Sequence, residues 1–134
     1  MNNLFTILYV KDQEKSKRFY RDLFEQEPSL DVPGMTEFSF FEGCQLGLMP
    51  EAGISKIITP ALPHPEKGSN IPRCELYFRV EGAESYLRRA IELGAKPVSP
   101  YSPRDWGEHV GYVADFDGHV LAFAEKDLLH LLDV

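Results

Sequence analysis

The chain has 134 residues, of which 43% are apolar and 26% are charged, and its mass is 15.3 kDa. This composition is ordinary for a folded protein of one domain and excludes an intrinsically disordered chain. The formal net charge of −7 argues against nucleic acid and anionic membranes as partners, because clustered Lys and Arg residues bind both.

The first residues and the cysteines bear on the cellular compartment. Residues 1–4 lack the basic stretch of a signal peptide, and no apolar run is long enough to cross a bilayer. Cys44 and Cys74 stand outside any CxxC pair, which excludes a zinc-ribbon or thioredoxin-type motif. We therefore expect a cytoplasmic protein, with no reason to invoke an oxidising compartment.

The first part of the chain predicts one strand, one helix and further strands. Residues 4–10 are β-branched and aromatic, which favours a strand, and Asp12 is a suitable N-cap for a helix that Pro28 ends. The apolar stripe of this helix consists of Phe19, Tyr20, Leu23 and Phe24. Strands are then predicted at 29–32, 36–41 and 44–49, the last two joined by a tight turn at Glu42-Gly43.

The pattern repeats after a proline-rich connection at 51–73. A strand is predicted at 74–80 and a helix at 82–93, whose apolar face consists of Ala83, Leu87, Ala90 and Gly94. Strands at 110–114 and 119–124 form a hairpin, and we assign Asp115, Asp117 and Gly118 to its turn and not to catalysis. A short amphipathic helix is predicted for the tail, 127–134.

The two parts are related by an internal repeat of about 70 residues. Val10 matches Val80, and Pro28 matches Pro97. We therefore expect one domain, 1–134, made of a first module at 1–50 and a second at 74–126. Each module is too small to bury its own helix and sheet well, so the two share a core or pair with another chain.

Three segments carry a resemblance to a known family: LFTILYVKDQEKSKRFYRDLF, CELYFRVEGAESYLRRAIELGA and DWGEHVGYVADFDGHVLAFAE. Together they resemble the vicinal oxygen chelate superfamily, which includes glyoxalases, extradiol dioxygenases and bleomycin-resistance proteins. The resemblance implies an α+β fold of two tandem βαβββ modules, whose curved sheets form a concave cleft.

The resemblance also implies a divalent metal, held in that cleft by four inward side chains. The matching positions here are Phe5, Gly47, Glu75 and Ala122, with Gln45 or Met49 as alternatives for Gly47. Only Glu75, or Glu75 with Gln45, offers a donor atom, and a divalent ion needs four or more ligands. The sequence therefore predicts no metal and no other cofactor, as in the bleomycin-resistance-like branch.

Strand alternation predicts which side chains line the cleft instead. If Phe5 and Glu75 face inward, then Ile7 and Tyr9 of the first strand and Tyr77 and Arg79 of the second module's first strand also face inward. If Ala122 faces inward, so do Val120 and Ala124 of the same strand. On the facing strand we prefer Val110 with Tyr112 over Gly111 with Val113. The predicted ligand-binding residues are Phe5, Ile7, Tyr9, Glu75, Tyr77, Trp106 and Tyr112. Glu75 faces a wet cleft, where it orients a cation, or pairs with Arg79 or Arg73.

Three functions follow from these residues. The first is a homodimeric protein of the bleomycin-resistance-like type that binds an aromatic or cationic organic molecule, such as an antibiotic, without catalysis. The second is a metal-dependent lyase or dioxygenase, which requires Gln45 and His109 to join Glu75. The third is a dimerisation module with no ligand.

Overall fold

Two four-stranded mixed sheets organise this computed structural model, which describes residues 1–126. The chain divides into two units, Met1–Ser69 and Asn70–Val134, and each contains one sheet. The predicted tail helix at 127–134 lies outside the described residues. The fold is α+β and consists of two tandem modules of the predicted kind.

The first unit follows the predicted order of elements. Its elements are β1 (Leu4–Val10), α1 (Gln13–Phe24), β2 (Leu30–Val32), β3 (Met35–Phe41), β4 (Cys44–Pro50), α2 (Glu51–Ile58) and a 3₁₀ helix (Pro65–Gly68). The strand order is β1-β4-β3-β2, in which β1 and β4 are parallel and the other pairs are antiparallel. The core forms where α1 covers β3 and β4; its buried residues include Phe19, Tyr20, Leu23, Phe38 and Leu48.

Helix α1 begins as predicted but ends earlier than Pro28. Asp12 Oδ1 accepts a hydrogen bond from Lys15 N at 3.0 Å, which satisfies a free N–H group of the first turn. At the other end Glu25 adopts a left-handed conformation with φ 52°, and its N–H group donates to Arg21 O. The prediction for Pro28 was wrong, because this cap closes the helix before the proline is reached.

The proline-rich connection is not a plain loop. Helix α2 starts directly after Pro50, and it buries Ile54 and Ser55. The sequence did not predict α2, because the prolines between 50 and 73 indicated a loop over the whole segment. The prolines flank this helix, and its first turn tolerates a preceding proline with φ −63°.

The second unit contains one helix and four strands. They are β5 (Glu75–Arg79), α3 (Ala83–Glu92), β6 (Lys96–Pro103), β7 (Glu108–Ala114) and β8 (Val120–Lys126), in the sheet order β5-β8-β7-β6. Strands β5 and β8 are parallel, and the other pairs are antiparallel. Asp115 Oδ1 accepts from Asp117 N and His119 N, as the predicted turn requires.

Strand β6 was not predicted, because three of its eight residues are prolines. It lies at an edge of the sheet and pairs with β7 through an irregular register. Proline has no N–H group to donate, and an edge strand leaves one side of its backbone unpaired in any case. Within residues 1–126, no helix is both long and apolar enough to span a bilayer.

Candidate functional site

Each sheet has one face covered by a helix and one face that points away from it. In the second unit, Phe123 stacks between Phe78 and Tyr86 of α3, with ring centroids 5.1 and 5.3 Å apart. Residues two apart on a strand share a face, so Glu75, Tyr77 and Arg79 lie on the opposite side from Phe78. We call this side the α3-distal face.

The α3-distal face carries a small apolar patch bordered by two tyrosines. Val110, Ala122 and Ala124 are buried, and Tyr77 and Tyr112 pack against them. Ala122 of the middle strand β8 is the register partner of both Tyr77 and Tyr112. Val110 and Tyr112 therefore lie on the same face as Tyr77, and that they line a ligand site stays a prediction.

A hydrogen-bonded network crosses this face around Glu108. Arg79 Nε donates to Glu108 Oε2 at 3.0 Å and Arg79 Nη2 donates to Oε1 at 3.1 Å. Tyr77 donates its hydroxyl proton to Glu108 Oε1 at 2.9 Å, and Trp106 Nε1 donates to the Tyr77 oxygen at 2.8 Å. The Arg79 guanidinium also lies over the Tyr77 ring, 5.2 Å from its centroid. One carboxylate thus orients two aromatic side chains and one cation.

Electrostatics keep this network in a single protonation state near neutral pH. The Glu108 side chain is only 7% exposed, and the hydrogen bonds from Arg79 lower the pKa of its carboxyl group despite this burial. Burial raises the pKa of the Tyr77 hydroxyl, which therefore stays protonated and able to donate. The buried negative charge of Glu108 is therefore compensated by Arg79, and the Tyr77 side chain is neutral.

Sequence reasoning did not find Glu108, and it left open whether Glu75 faces a wet cleft or pairs with Arg79 or Arg73. Glu75 is exposed and forms no hydrogen bond or ion pair with any residue of the described range 1–126, whereas Arg79 pairs with Glu108. Burial and the charge of Glu75 both raise the pKa of Tyr112. The only signal for Glu108 was its place in the alternation with Val110 and Tyr112.

Arg104 secures the loop that carries Trp106. Its Nη2 donates to Val110 O at 2.9 Å and to Pro100 O at 2.9 Å, which ties the loop to β6 and β7. Its guanidinium lies over the Tyr112 ring at 5.1 Å from the centroid. Trp106 is 53% exposed at the end of this secured loop. The indole is therefore both accessible and held in one orientation.

The first unit also has a face that points away from its helix α1. Phe5, Ile7 and Tyr9 of β1 lie there beside their register partners on β4, which are Gln45, Gly47 and Met49. A Cβ atom on Gly47 would lie 2.5 Å from Phe5 Cε1, so the phenylalanine ring occupies the space above this glycine. Gln45 Oε1 is buried and has no hydrogen-bond partner within residues 1–126.

These residues do not fit a metal centre of the expected kind. In the first unit the ring of Phe5 covers Gly47, and neither residue has a donor atom. In the second unit Ala122 belongs to the apolar patch, so the only donors at the expected positions and their alternatives are the Glu75 carboxylate and the Gln45 amide oxygen. His109 cannot join Glu75: it alternates with Val110, and its ring lies 5.6 Å from that of Tyr101 on the side of α3. A divalent ion would lack most of its ligands.

The second unit also contains a cluster of two aspartates and a histidine, and a cavity next to α3. Asp115, Asp117 and His119 bring donor atoms within 4.8 Å of one another, but Asp115 Oδ1 already accepts two N–H groups of the turn. A cavity of about 430 Å³ lies between α3 and β6. Its apolar lining includes Leu87, Ile91, Pro97, Val98, Pro100 and Tyr101. Of the ligand-binding residues predicted from the sequence, Tyr112 alone lines this cavity, and Tyr77, Trp106 and Glu108 of the hydrogen-bonded network do not.

Comparisons with known proteins agree with this architecture. A family profile described as glyoxalase-like domain matches residues 4–126. No curated protein matches the chain.

Solved structures resemble the chain over most of its length. A glyoxalase-related enzyme from Fulvimarina pelagi has a TM-score of 0.78 and 22% identity, covering 94% of this chain and 89% of that one. A glyoxalase/bleomycin resistance protein/dioxygenase from Nocardioides has a TM-score of 0.72 and 18% identity, covering 96% and 84%. A glyoxalase/bleomycin resistance protein from Catenulispora acidiphila has a TM-score of 0.63 and 22% identity, covering 93% and 98%. At these identities the likeness establishes the fold.

Proposed function

The chain belongs to the glyoxalase-like domain family, and we propose that it is a binding protein of the bleomycin-resistance-like type, which holds an aromatic or cationic organic molecule without a metal. The observation that carries this proposal is the network of the α3-distal face. There, the indole of Trp106 is half exposed, yet its orientation is set by Tyr77 and the buried Glu108. A rigid, accessible aromatic surface binds flat ligands at a low entropic cost.

The donor chemistry supports binding over metal-dependent catalysis. Phe5, Gly47 and Ala122 have no side-chain donor atoms at three of the four expected ligand positions. What remains is an apolar floor with aromatic walls, together with the exposed charge of Glu75. Such a surface recognises a ligand by stacking, apolar burial and attraction of a cation. That Phe5, Ile7 and Tyr9 also contact the ligand stays a prediction.

Binding can be measured through Trp106, which is the single tryptophan of the chain. We expect 1-methylquinolinium, a planar cation, and naphthalene-2-carboxamide, a neutral planar molecule, to change its emission in a saturable way. Truncation in Trp106→Ala should weaken both ligands by about 1–3 kcal/mol, which is the scale of a buried aromatic anchor. Calorimetry is needed for this variant, because it has lost the fluorescent reporter.

Two further variants make the test specific. Glu75→Gln should weaken 1-methylquinolinium and leave naphthalene-2-carboxamide unchanged, because only the cation interacts with the carboxylate. Phe41→Ala removes an aromatic ring that is 71% exposed in the first unit, and it should leave both affinities unchanged. Equal losses in Phe41→Ala and Trp106→Ala, or no saturable signal at all, would contradict the proposal.

The absence of a metal requirement is tested separately. We expect elemental analysis of the purified protein to find far less than one nickel, zinc, iron or manganese ion per chain. Ligand affinity should be the same before and after treatment with a chelator. Stoichiometric metal, or turnover that a chelator abolishes, would instead support a metal-dependent enzyme.

A further inference from the structure

Arg79 has an unusual combination of exposure and order. Its side chain is 68% exposed, as expected for a surface arginine. It is nevertheless held by two hydrogen bonds to the buried Glu108 and by the ring of Tyr77 beneath it. A surface arginine normally loses rotamer freedom when it binds a ligand, and Arg79 has already lost much of it.

The orientation of Arg79 leaves one edge of the guanidinium available. Of its five N–H groups, the Nε donor and one Nη2 donor are used by Glu108. The other three, on Nη1 and Nη2, have no partner among residues 1–126. Two of these three N–H groups point in parallel from the outer edge, which is the arrangement that receives both oxygens of a carboxylate.

The surroundings of this edge favour an anion next to an aromatic ring. Lys126 is the register partner of Glu108, so two cations stand here against one carboxylate. Glu75 is at the opposite end of β5 from Arg79. Trp106 belongs to the same network: its Nε1 bonds to the Tyr77 oxygen, which bonds to the carboxylate oxygen that Arg79 also contacts. The indole and the guanidinium are therefore fixed relative to each other.

We propose that the outer edge of Arg79 binds the carboxylate of a planar aromatic ligand whose ring lies against Trp106. This inference rests on the proposed binding function and adds aromatic carboxylates as a further ligand class, bound at Arg79 and thus at the opposite end of β5 from Glu75. Glu108 is then a positioning residue, which fixes the guanidinium through its inner edge and the indole through Tyr77. The Arg79–Glu108 pair is neutral overall, so the net positive charge at this edge is that of Lys126.

The test compares naphthalene-2-carboxylate with naphthalene-2-carboxamide, a neutral ligand of nearly the same shape that offers one acceptor oxygen in place of two. In the wild-type protein we expect the carboxylate to bind about tenfold more tightly, the usual gain of a charge-assisted hydrogen bond over a neutral one. In Arg79→Gln this preference should vanish, while the affinity for the carboxamide stays within about twofold. Arg88→Gln, an exposed arginine of α3, is the matched control and should keep the preference.

The outcomes separate this inference from the function on which it rests. If the carboxamide binds and the carboxylate binds no more tightly, or if Arg79→Gln keeps the preference, the role of Arg79 is wrong and the aromatic site stands. If neither ligand changes the emission of Trp106, both proposals fail. Because Arg79→Gln leaves Glu108 without its cation, circular dichroism should first show that the variant is folded.

A second variant covers the case in which Arg79→Gln does not fold. Arg79→Lys keeps the positive charge next to Glu108 but loses the planar fork that binds two oxygens. We expect it to fold and to retain only part of the preference for the carboxylate. A preference equal to that of the wild-type protein would show that the fork is not used, and it would overturn the proposal.

Discussion

At the scale of single residues, Glu108 determines the state of the candidate site. It is a buried carboxylate that receives hydrogen bonds from Arg79 and Tyr77, and through Tyr77 it sets the position of Trp106. Removing Arg79 leaves the Glu108 carboxylate buried without its cation, which costs more than the bond itself. Glu108 contacts no proposed ligand, but the geometry of the candidate site depends on it.

The lowered pKa of Glu108 predicts a specific pH dependence of stability. Arg79 holds this pKa below its usual value of 4.5, so below that value the unfolded chain takes up a proton more readily than the folded chain. The free energy of unfolding should therefore fall as the pH is lowered from about 5 to about 3, and the fall should be smaller in Glu108→Gln. Urea unfolding at several pH values measures both curves. Parallel curves would show that the Glu108 carboxyl is not coupled to folding.

At the scale of elements, two glycines allow close contacts that a larger residue would block. Gly47 accommodates the ring of Phe5 on the face away from α1, whereas Gly111 lies under α3 and beside β6. A Cβ atom on Gly111 would overlap Leu87 Cδ1 and lie 3.2 Å from the backbone of Tyr101. A side chain can move away, but the backbone of a paired strand moves at a larger cost.

We therefore expect Gly111→Ala to destabilise the protein by about 1–3 kcal/mol, because the added methyl group overpacks the contact between α3 and β7. Gly68→Ala is the matched control, since nothing lies within 4 Å of a Cβ atom at that position. Urea unfolding compares the two variants with the wild-type protein. Equal stabilities would mean that α3 is free to shift away from β7.

At the scale of the whole molecule, the prediction of a homodimer still stands to be tested. Each unit has one four-stranded sheet and few helices, so each can cover only part of its apolar surface. Several large apolar side chains remain exposed; they include Leu4, Phe41, Ile57 and Trp106. We expect light scattering coupled to gel filtration to give about twice the chain mass of 15.3 kDa. A single-chain mass at high protein concentration would contradict this prediction.

The sequence by itself determined most of the elements and the faces of their strands. Strands β1, β3, β4, β5, β7 and β8 were predicted within two residues of their observed ends, and Asp12 was identified as the cap of α1. These features depend on alternation, helical periodicity and turn residues, all of which act between near neighbours in the chain. The same locality identified Tyr77, Tyr112 and Trp106 as candidates for one aromatic surface.

Only the tertiary structure decided which side chains interact on that surface. Arg79 and Glu108 belong to β5 and β7, and the strand order β5-β8-β7 brings them together across β8, where Ala124 is the register partner of Arg79 and Lys126 that of Glu108. Sequence spacing contains no information about this order, so the nearer Glu75 was considered as the partner of Arg79 and Glu108 was missed. Helix α2 and the edge strand β6 were missed because the prolines in and around them indicated irregular structure. A proline is nevertheless tolerated directly before a helix and in an edge strand, and the tertiary structure decides whether those elements form.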